Sequence, residues 1–157
     1  MTIANIVEAF NKKGFLQVAE IIDLHKSGTL RRDMYNFFQR NTNRDFAKAV
    51  LTTLMVLRGN LDNEVYIEDL MLPAYIIGMH GFVEDSLLIW EAKNIDFDTY
   101  WGFDTELIVF AGIDETIAFL NNANSPQAKK ALDFVIGLAD EDVDYYYSNI
   151  KEQYWIN

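Results

Sequence analysis

Hydrophobic residues recur at intervals of three and four positions along most of the chain, which is the spacing of one face of an α-helix. The first stripe consists of Ile3, Ile6, Val7 and Phe10, and Gly14 follows it as a residue suited to end a helix. Equivalent stripes predict nine further helices. They cover residues 15–24, 30–40, 43–60, 62–78, 82–93, 104–110, 114–120, 125–138 and 140–157. In the helix over 43–60, one apolar face is predicted to consist of Phe46, Val50, Leu54 and Leu57.

Several of these helices are predicted to begin at residues whose side chains cap free backbone N–H groups. Ser125 is followed by Pro126, and proline is well suited to the first helical position. The other predicted caps are Asp62, Asp104 or Thr105, Asp114 and Asp140. Pro73 lies inside the stripe of residues 62–78 and is predicted to kink or split that helix, because proline lacks a backbone N–H.

The absence of sustained apolar–polar alternation predicts an all-α fold, although the run ELIVFAG (106–112) fits either a buried strand or a buried helical turn. A chain of 157 residues is expected to form a single helical domain, 1–157. About ten short helices with short connections favour stacking as antiparallel pairs. A short solenoid-like array is one such arrangement, but no repeat of fixed period is visible.

The sequence also bears on location. No run approaches the ~18 consecutive apolar residues of a membrane-spanning helix. The first residues, MTIANIVEAFNKKG, carry charges too early for a signal peptide. The chain contains no cysteine, which excludes disulfide and thiolate chemistry. A cytoplasmic location without membrane association is therefore the default expectation.

Charge is distributed unevenly along the chain. Residues 1–60 contain nine Lys and Arg against five Asp and Glu, a net of +4, whereas residues 61–157 contain four against nineteen, a net of −15. These parts add to the overall net charge of −11. The field of the acidic part would repel nucleic acid and anionic membranes and would attract a basic protein. Acidic surfaces also serve solubility alone, which is the other interpretation of the charge.

The segment NIDFDTYWGFDTE, residues 94–106, combines acids with large aromatic side chains and is predicted to be a loop between two helices. A few aromatic side chains supply most of the energy of many interfaces, while nearby charges set specificity. We therefore predict a partner-binding surface. Its residues are Asp96, Asp98, Tyr100, Trp101, Asp104, Glu106, Asp114, Glu115 and Tyr146. Tyr100 and Trp101 fit the core equally well, and four other rings are assigned to the core: Trp90, Phe97, Phe103 and Phe110.

Two further clusters carry expectations of their own. Three consecutive tyrosines, Tyr145 to Tyr147, cannot all face one side of a helix, so at least one is expected to reach solvent. The basic part contributes four arginines that are expected to pair internally with the acidic part, or alternatively with a second copy of the chain, and the oligomeric state is left open. They are Arg31, Arg32, Arg40 and Arg44.

Enzymatic chemistry finds little support. There is no G-x-S-x-G motif, His25 lies near a predicted helix end, and His80 lies between glycines in a predicted turn. Calcium loops need alternating acids, a central glycine and a closing Glu, which residues 94–106 do not supply. A zinc ligand set and a phosphate-binding glycine loop are also missing. We therefore predict no catalytic residues, no metal and no cofactor.

The segment from Phe82 to Leu120 resembles small helical immunity proteins of bacterial polymorphic or contact-dependent toxin systems. The matching features are Leu88-Ile89-Trp90, Ala92-Lys93, Asp96-Phe97-Asp98-Thr99, Gly102-Phe103-Asp104, Gly112 and Thr116. The resemblance covers about a quarter of the chain and carries over no family-defined binding residue. It implies a protein that neutralises a toxin by occluding its active site or substrate groove, which is basic in toxins that act on nucleic acid.

Three functional hypotheses follow. The first is a non-enzymatic, cytoplasmic immunity protein that binds a basic cognate toxin through the acidic surface. The second is a helical-repeat adaptor for another endogenous protein. The third, with the least support, is a hydrolase that uses paired carboxylates or a metal.

Overall fold

The computed structural model describes residues 2–26, 29–60 and 65–153, and within these ranges the backbone forms helices and no strands. The predicted all-α fold is therefore confirmed. The α-helices are α1 (Ile3–Lys13), α2 (Val18–Lys26), α3 (Leu30–Phe38), α4 (Arg44–Arg58), α5 (Ile67–Met79), α6 (Ser86–Lys93), α7 (Phe97–Gly102), α8 (Ile113–Asn122), α9 (Pro126–Val135) and α10 (Asp140–Ser148). Short 3₁₀ helices cover Val83–Asp85, Thr105–Val109 and Ile150–Glu152.

The chain divides into two compact units, Met1–Ile76 and Ile77–Gln153. In the first unit α1 packs against α3, and α2 packs against α3 and α4. In the second unit α8 packs against α9, while α6 lies against α7, α9 and both neighbouring 3₁₀ helices. The single domain and the antiparallel stacking of pairs stay predictions.

The core of the first unit is built on α4. Phe46 is completely buried, and its ring lies 5.5 Å from that of Phe10 and 5.8 Å from that of Phe38. The predicted inner face of α4 is confirmed, because Val50, Leu54 and Leu57 are also buried. An apolar stripe with a spacing of three and four residues thus identified the correct face of this helix.

Two predicted helix ends are confirmed in detail. Gly14 follows α1 with a φ of 78°, a left-handed conformation that glycine adopts without a steric penalty. At the start of α9, the Ser125 hydroxyl accepts a hydrogen bond of 3.1 Å from the backbone N–H of Ala128, and Pro126 occupies the first turn. Both signals depend on local chemistry, which explains why the sequence alone identified them.

Pro73 was predicted to kink or split its helix. The split is wrong, because α5 continues through Pro73, and the kink stays a prediction. A proline inside a helix costs about 3 kcal/mol. Leu70, Leu72 and Ala74 are completely buried around it. Burial of a Leu side chain contributes roughly 1.5–3 kcal/mol, so packing offsets the missing hydrogen bond. The predicted cap Asp62 lies outside the described residues.

Other boundaries also differ from the predictions. Residues 97–102 form a helix, not a loop, and residues 105–109 form a 3₁₀ helix instead of an α-helix. The helix predicted over 82–93 starts with a 3₁₀ turn, and α2 begins at Val18. Asp114 lies in the first turn of α8, whose cap is Gly112, and Asp140 opens α10 after the cap Ala139. α10 ends at Ser148, and residues 154–157 are outside the described ranges.

Helix length also bears on membrane insertion. The longest helix in the described ranges, α4, has 15 residues. None of the helices described is long and apolar enough to cross a bilayer.

The α4 face provides a test of the core. We expect Leu54→Ala to lower the free energy of unfolding by about 2–5 kcal/mol, because it leaves a cavity at a completely buried position. Val56, two residues away, is 69% exposed, so Val56→Ala should change stability by no more than about 0.5 kcal/mol. Denaturant unfolding of both variants would check this, and similar losses would contradict the assignment of the face.

Candidate functional site

The acidic aromatic segment is organised around α7, whose start is fixed by a reciprocal pair of hydrogen bonds. The Asp96 carboxylate accepts a bond of 2.8 Å from the backbone N–H of Thr99. The Thr99 hydroxyl accepts a bond of 3.0 Å from the backbone N–H of Asp96. This capping box satisfies two N–H groups that a helix start leaves free. The Asp96 side chain therefore fixes the start of α7.

The end of α7 is fixed by Lys93 from the preceding helix. Lys93 is only 2% exposed, and its ammonium group donates hydrogen bonds of 2.5 Å to the Tyr100 carbonyl and 2.7 Å to the Phe103 carbonyl. Carbonyl groups at a helix end lack partners within the helix and carry partial negative charge, so a cation there is favourable. One buried side chain thus ties the last turn of α7 to α6.

Aromatic rings surround the Lys93 ammonium group. Its nitrogen lies 5.5 Å from the centre of the Tyr100 ring and 5.7 Å from the centre of the Phe134 ring, within the range of cation–π attraction. Burial lowers the pKa of Lys93, and the negative charges of Asp104 and Glu106 act in the opposite direction. The ammonium is therefore held by carbonyls and rings rather than by an ion pair among the described residues.

A chain of aromatic rings runs from the interior of the second unit to its surface. The Trp90 ring lies 5.2 Å from Phe134, which lies 6.3 Å from Tyr100. Tyr100 lies 5.2 Å from Trp101 in an edge-to-face arrangement, and Trp101 lies 6.3 Å from Phe97. Ring pairs at these distances attract one another beyond the burial of their area. We call these five residues the aromatic chain.

The outer end of the aromatic chain is open to solvent. Phe97 is 77% exposed and Trp101 is 70% exposed. They lie four residues apart on α7, so they share one side of the helix, and Asp98 is exposed beside them. We call Phe97, Asp98 and Trp101 the α7 face. The assignment of Phe97 to the core was wrong, because Phe97 lies on the exposed side of α7.

A second set of contacts fastens α10 to the 3₁₀ helix Thr105–Val109. The Tyr146 hydroxyl donates a hydrogen bond of 2.8 Å to the Asp104 carboxylate, and the Tyr147 hydroxyl donates one of 3.0 Å to the Glu106 carbonyl. Tyr146 is only 7% exposed. Tyr145 is 72% exposed, which confirms that at least one of the three tyrosines reaches solvent. The three tyrosines thus have different environments.

These contacts shift two ionisation equilibria. Burial raises the pKa of Tyr146, and the negative charge of Asp104 raises it further. Burial also raises the pKa of Glu106, with the nearby charges of Asp104 and Asp142 adding to the shift while Lys93 opposes it. Desolvation penalises the charged form of each group.

The predicted partner-binding residues therefore lie in three environments. The exposed ones are Asp96, Asp98, Trp101, Asp114 and Glu115. Tyr100, Asp104 and Glu106 are half-buried, and Tyr146 is buried. Among them, the Tyr100 ring contacts the Trp101 ring, and Tyr146 donates a hydrogen bond to Asp104. Asp114 and Glu115 belong to α8, and their side chains contact no other charged or polar side chain among the described residues.

The binding role of these nine residues stays a prediction. Their environments separate residues that support the surface from residues that can contact a partner. A buried hydroxyl group that is already hydrogen-bonded within the protein contributes little contact area to a partner. Asp96, Asp104 and Tyr146 hold the surface in shape through hydrogen bonds. Asp98 and Trp101 present accessible groups.

Three ion pairs between described residues of the first unit join residues close in sequence. They are Lys12–Glu8 at 2.6 Å, Lys13–Glu20 at 3.8 Å and Arg32–Asp33 at 3.8 Å. Pairing of the four arginines with the acidic part stays a prediction. The carboxylates of Asp98, Asp114 and Glu115 form no ion pair or hydrogen bond with another described residue. They are therefore available to an external cation.

His80 lies in the turn after α5, as predicted, with its Nε2 atom buried and without a hydrogen-bond partner among the described residues. The His25 side chain lies outside what the structure describes. In the described part of the chain, no three His, Asp or Glu side chains are grouped so as to hold a metal ion.

Lys93 and Phe97 were missed as site residues. Both had a signal in the sequence. Lys93 is the single lysine or arginine between residues 59 and 128, and its apolar neighbours Trp90 and Ala92 suggest burial. Asp96 and Thr99 have the spacing of a capping box, which would have placed Phe97 and Trp101 four residues apart on a helix.

Comparison with known proteins leaves the assignment open to experiment. No family model matches the chain, and no curated protein or solved structure is significantly similar to it. The resemblance to immunity proteins therefore enters only as a proposal.

Lys93→Met tests how α7 is held. Methionine keeps the length and the apolar stem but cannot donate to the carbonyls of Tyr100 and Phe103, so we expect a loss of about 1–3 kcal/mol in stability. Amide hydrogen exchange across α7 should accelerate. Lys129→Met, which removes an exposed cation from α9, should leave both measurements unchanged. Unaltered exchange in α7 of Lys93→Met would contradict the role of Lys93.

Glu106→Gln tests the raised pKa of Glu106. The folded protein binds a proton at Glu106 more tightly than the unfolded chain does. The contribution of Glu106 to the stability of the fold therefore falls as the pH rises above the ordinary glutamate pKa of 4.5. We expect the stability of Glu106→Gln relative to wild type to increase from pH 4 to pH 7. Denaturant unfolding at several pH values measures this, with exposed Glu115→Gln as the control. A relative stability that is constant or falls with pH would exclude the shift.

Proposed function

We propose that this protein is a non-enzymatic immunity protein that binds and neutralises a basic bacterial toxin through the α7 face and the acids around it. The observation that carries the proposal is the α7 face itself: Phe97 and Trp101 are largely exposed on a helix fixed at both ends. Exposed apolar groups rimmed by polar residues are typical of interaction sites. The resemblance of residues 82–120 to immunity proteins adds to this support.

The rigidity of α7 favours tight binding. Its start is closed by Asp96 and Thr99, and its end is held by Lys93. A surface that is already ordered loses little conformational entropy on association, so more of the contact energy contributes to affinity. Exposed tryptophan and phenylalanine on such a surface fit the role of anchors that enter a pocket of the partner.

Charge favours a basic partner. Residues 77–153 contain fifteen Asp and Glu and four Lys, a net of −11. Such a field accelerates association with a positively charged protein and disfavours nucleic acid. A toxin that acts on nucleic acid presents a basic groove, and an acidic protein seated there would exclude the substrate. Neutralisation by occlusion requires no catalytic group on the inhibitor.

The test is co-expression with the toxin encoded by the neighbouring gene, scored by bacterial growth, together with calorimetric binding. We expect wild type to protect. Phe97→Ala combined with Trp101→Ala should weaken binding roughly 30-fold or more, since an interface anchor contributes about 2 kcal/mol or more. Protection should fall accordingly.

The matched control is Phe15→Ala combined with Val18→Ala, which removes two exposed apolar side chains from the first unit. This control should protect and bind as wild type does. Full protection by the α7 variant would overturn the binding surface. Failure of wild type to bind the neighbouring gene product would overturn the proposed function.

A further inference from the structure

The α7 face combines aromatic rings with a carboxylate that lacks a partner. Phe97 lies four residues before Trp101 and Asp98 lies three residues before it, so both side chains are neighbours of Trp101 on the helix surface. Asp98 is exposed and forms no ion pair or hydrogen bond with another described residue. Neither Phe97 nor Trp101 contacts a cation there.

The inner part of the same aromatic chain already holds a cation. The ammonium group of Lys93 lies 5.5 Å from the Tyr100 ring and 5.7 Å from the Phe134 ring. Tyr100 in turn contacts Trp101, the next ring outward. The outer rings thus present to solvent the same kind of cation-binding surface that the inner rings provide for Lys93. The Asp98 carboxylate takes the place of the backbone carbonyls.

We propose that the α7 face receives an arginine side chain of the protein partner, which stacks on Trp101 and pairs with Asp98. This inference rests on the proposed function and names the chemistry of its central contact. A guanidinium group suits this place better than an ammonium group, because it is planar, stacks on aromatic rings and binds a carboxylate through two parallel hydrogen bonds.

Electrostatics disfavours the alternative occupants. An apolar partner surface would bury the Asp98 carboxylate without compensation, which is strongly unfavourable. A second copy of the chain packed through the same face would bring two Asp98 carboxylates together within a unit of net charge −11. A partner that supplies a cation satisfies Asp98 and the rings in one contact.

The experiment uses the full-length protein and three probe peptides: hexa-arginine, hexa-lysine and hexa-citrulline, the last being an uncharged analogue of arginine. Binding is followed through the NMR signal of the Trp101 indole N–H, assigned by its absence in Trp101→Phe. At physiological salt we expect hexa-arginine to bind roughly three- to tenfold more tightly than hexa-lysine, and hexa-citrulline to bind weakest.

Variants separate the local contact from the general field. Binding to the variants is measured by calorimetry, because the Trp101 signal is absent when Trp101 is replaced. Asp98→Lys and Trp101→Leu should each weaken hexa-arginine binding roughly threefold or more, whereas Trp101→Phe should retain most of it. Asp144→Lys, at an exposed acid of α10, changes the net charge by the same amount as Asp98→Lys and should have a smaller effect. Circular dichroism confirms that each variant is folded.

Three outcomes would overturn the inference: equal affinity for arginine and lysine peptides, equal weakening by Asp98→Lys and Asp144→Lys, or self-association that Trp101→Leu abolishes. The outcome is separable from the proposed function. If wild type neutralises the toxin while the peptides show no preference for arginine, only the arginine contact fails. If hexa-arginine binds as expected while the neighbouring gene product does not bind, only the toxin assignment fails.

Discussion

The geometry of the site depends on a single buried cation. Lys93 lies at the end of α6 and donates hydrogen bonds to the Tyr100 and Phe103 carbonyls, which would otherwise lack partners at the end of α7. A lysine is seldom buried, because its charge loses hydration, and it persists in the interior only where other groups replace the water. Here two carbonyls and two aromatic rings do so. This arrangement fixes the end of α7, as the Asp96–Thr99 capping box fixes its start.

Two kinds of contact therefore hold α7 in place. Hydrogen bonds from Asp96, Thr99 and Lys93 fix the backbone of α7. Ring contacts through Phe134 and Tyr100 connect its side chains to the packed interior at Trp90. Asp98 has no hydrogen-bond or ion-pair partner among the described residues, and the large exposure of Phe97 and Trp101 beside it is not explained by internal packing.

Local signals predicted much of the fold. The buried face of α4, the left-handed Gly14 and the Ser125–Pro126 start of α9 all depend on residues close in sequence, and all three were predicted correctly. The predicted split at Pro73 was wrong, because tolerance of a proline depends on the packing of α5, which no local pattern contains. The same limitation explains why Lys93 was missed. Its hydrogen-bond partners lie seven and ten residues away in sequence, and the bonds form only when α6 and α7 pack together.

The candidate surface was predicted in part. Composition identified the segment 94–106, but spacing of side chains on it was misjudged, because six residues of helix are too few to produce a recognisable stripe. Phe97 was assigned to the core although it is exposed. Asp104 and Tyr146 bond to each other, and their role in partner binding stays a prediction. A capping box is a stronger indicator of such a short helix than periodicity.

The shortness of α7 limits how the α7 face can be reproduced outside this protein. A helix of six residues does not form by itself in water, because nucleation is unfavourable and too few backbone bonds follow. An excised peptide spanning residues 94–106 would thus be a poor mimic. The α7 face and its support at Lys93 form one structural unit. Grafting the α7 face onto another scaffold would therefore require transfer of the end of α6 as well.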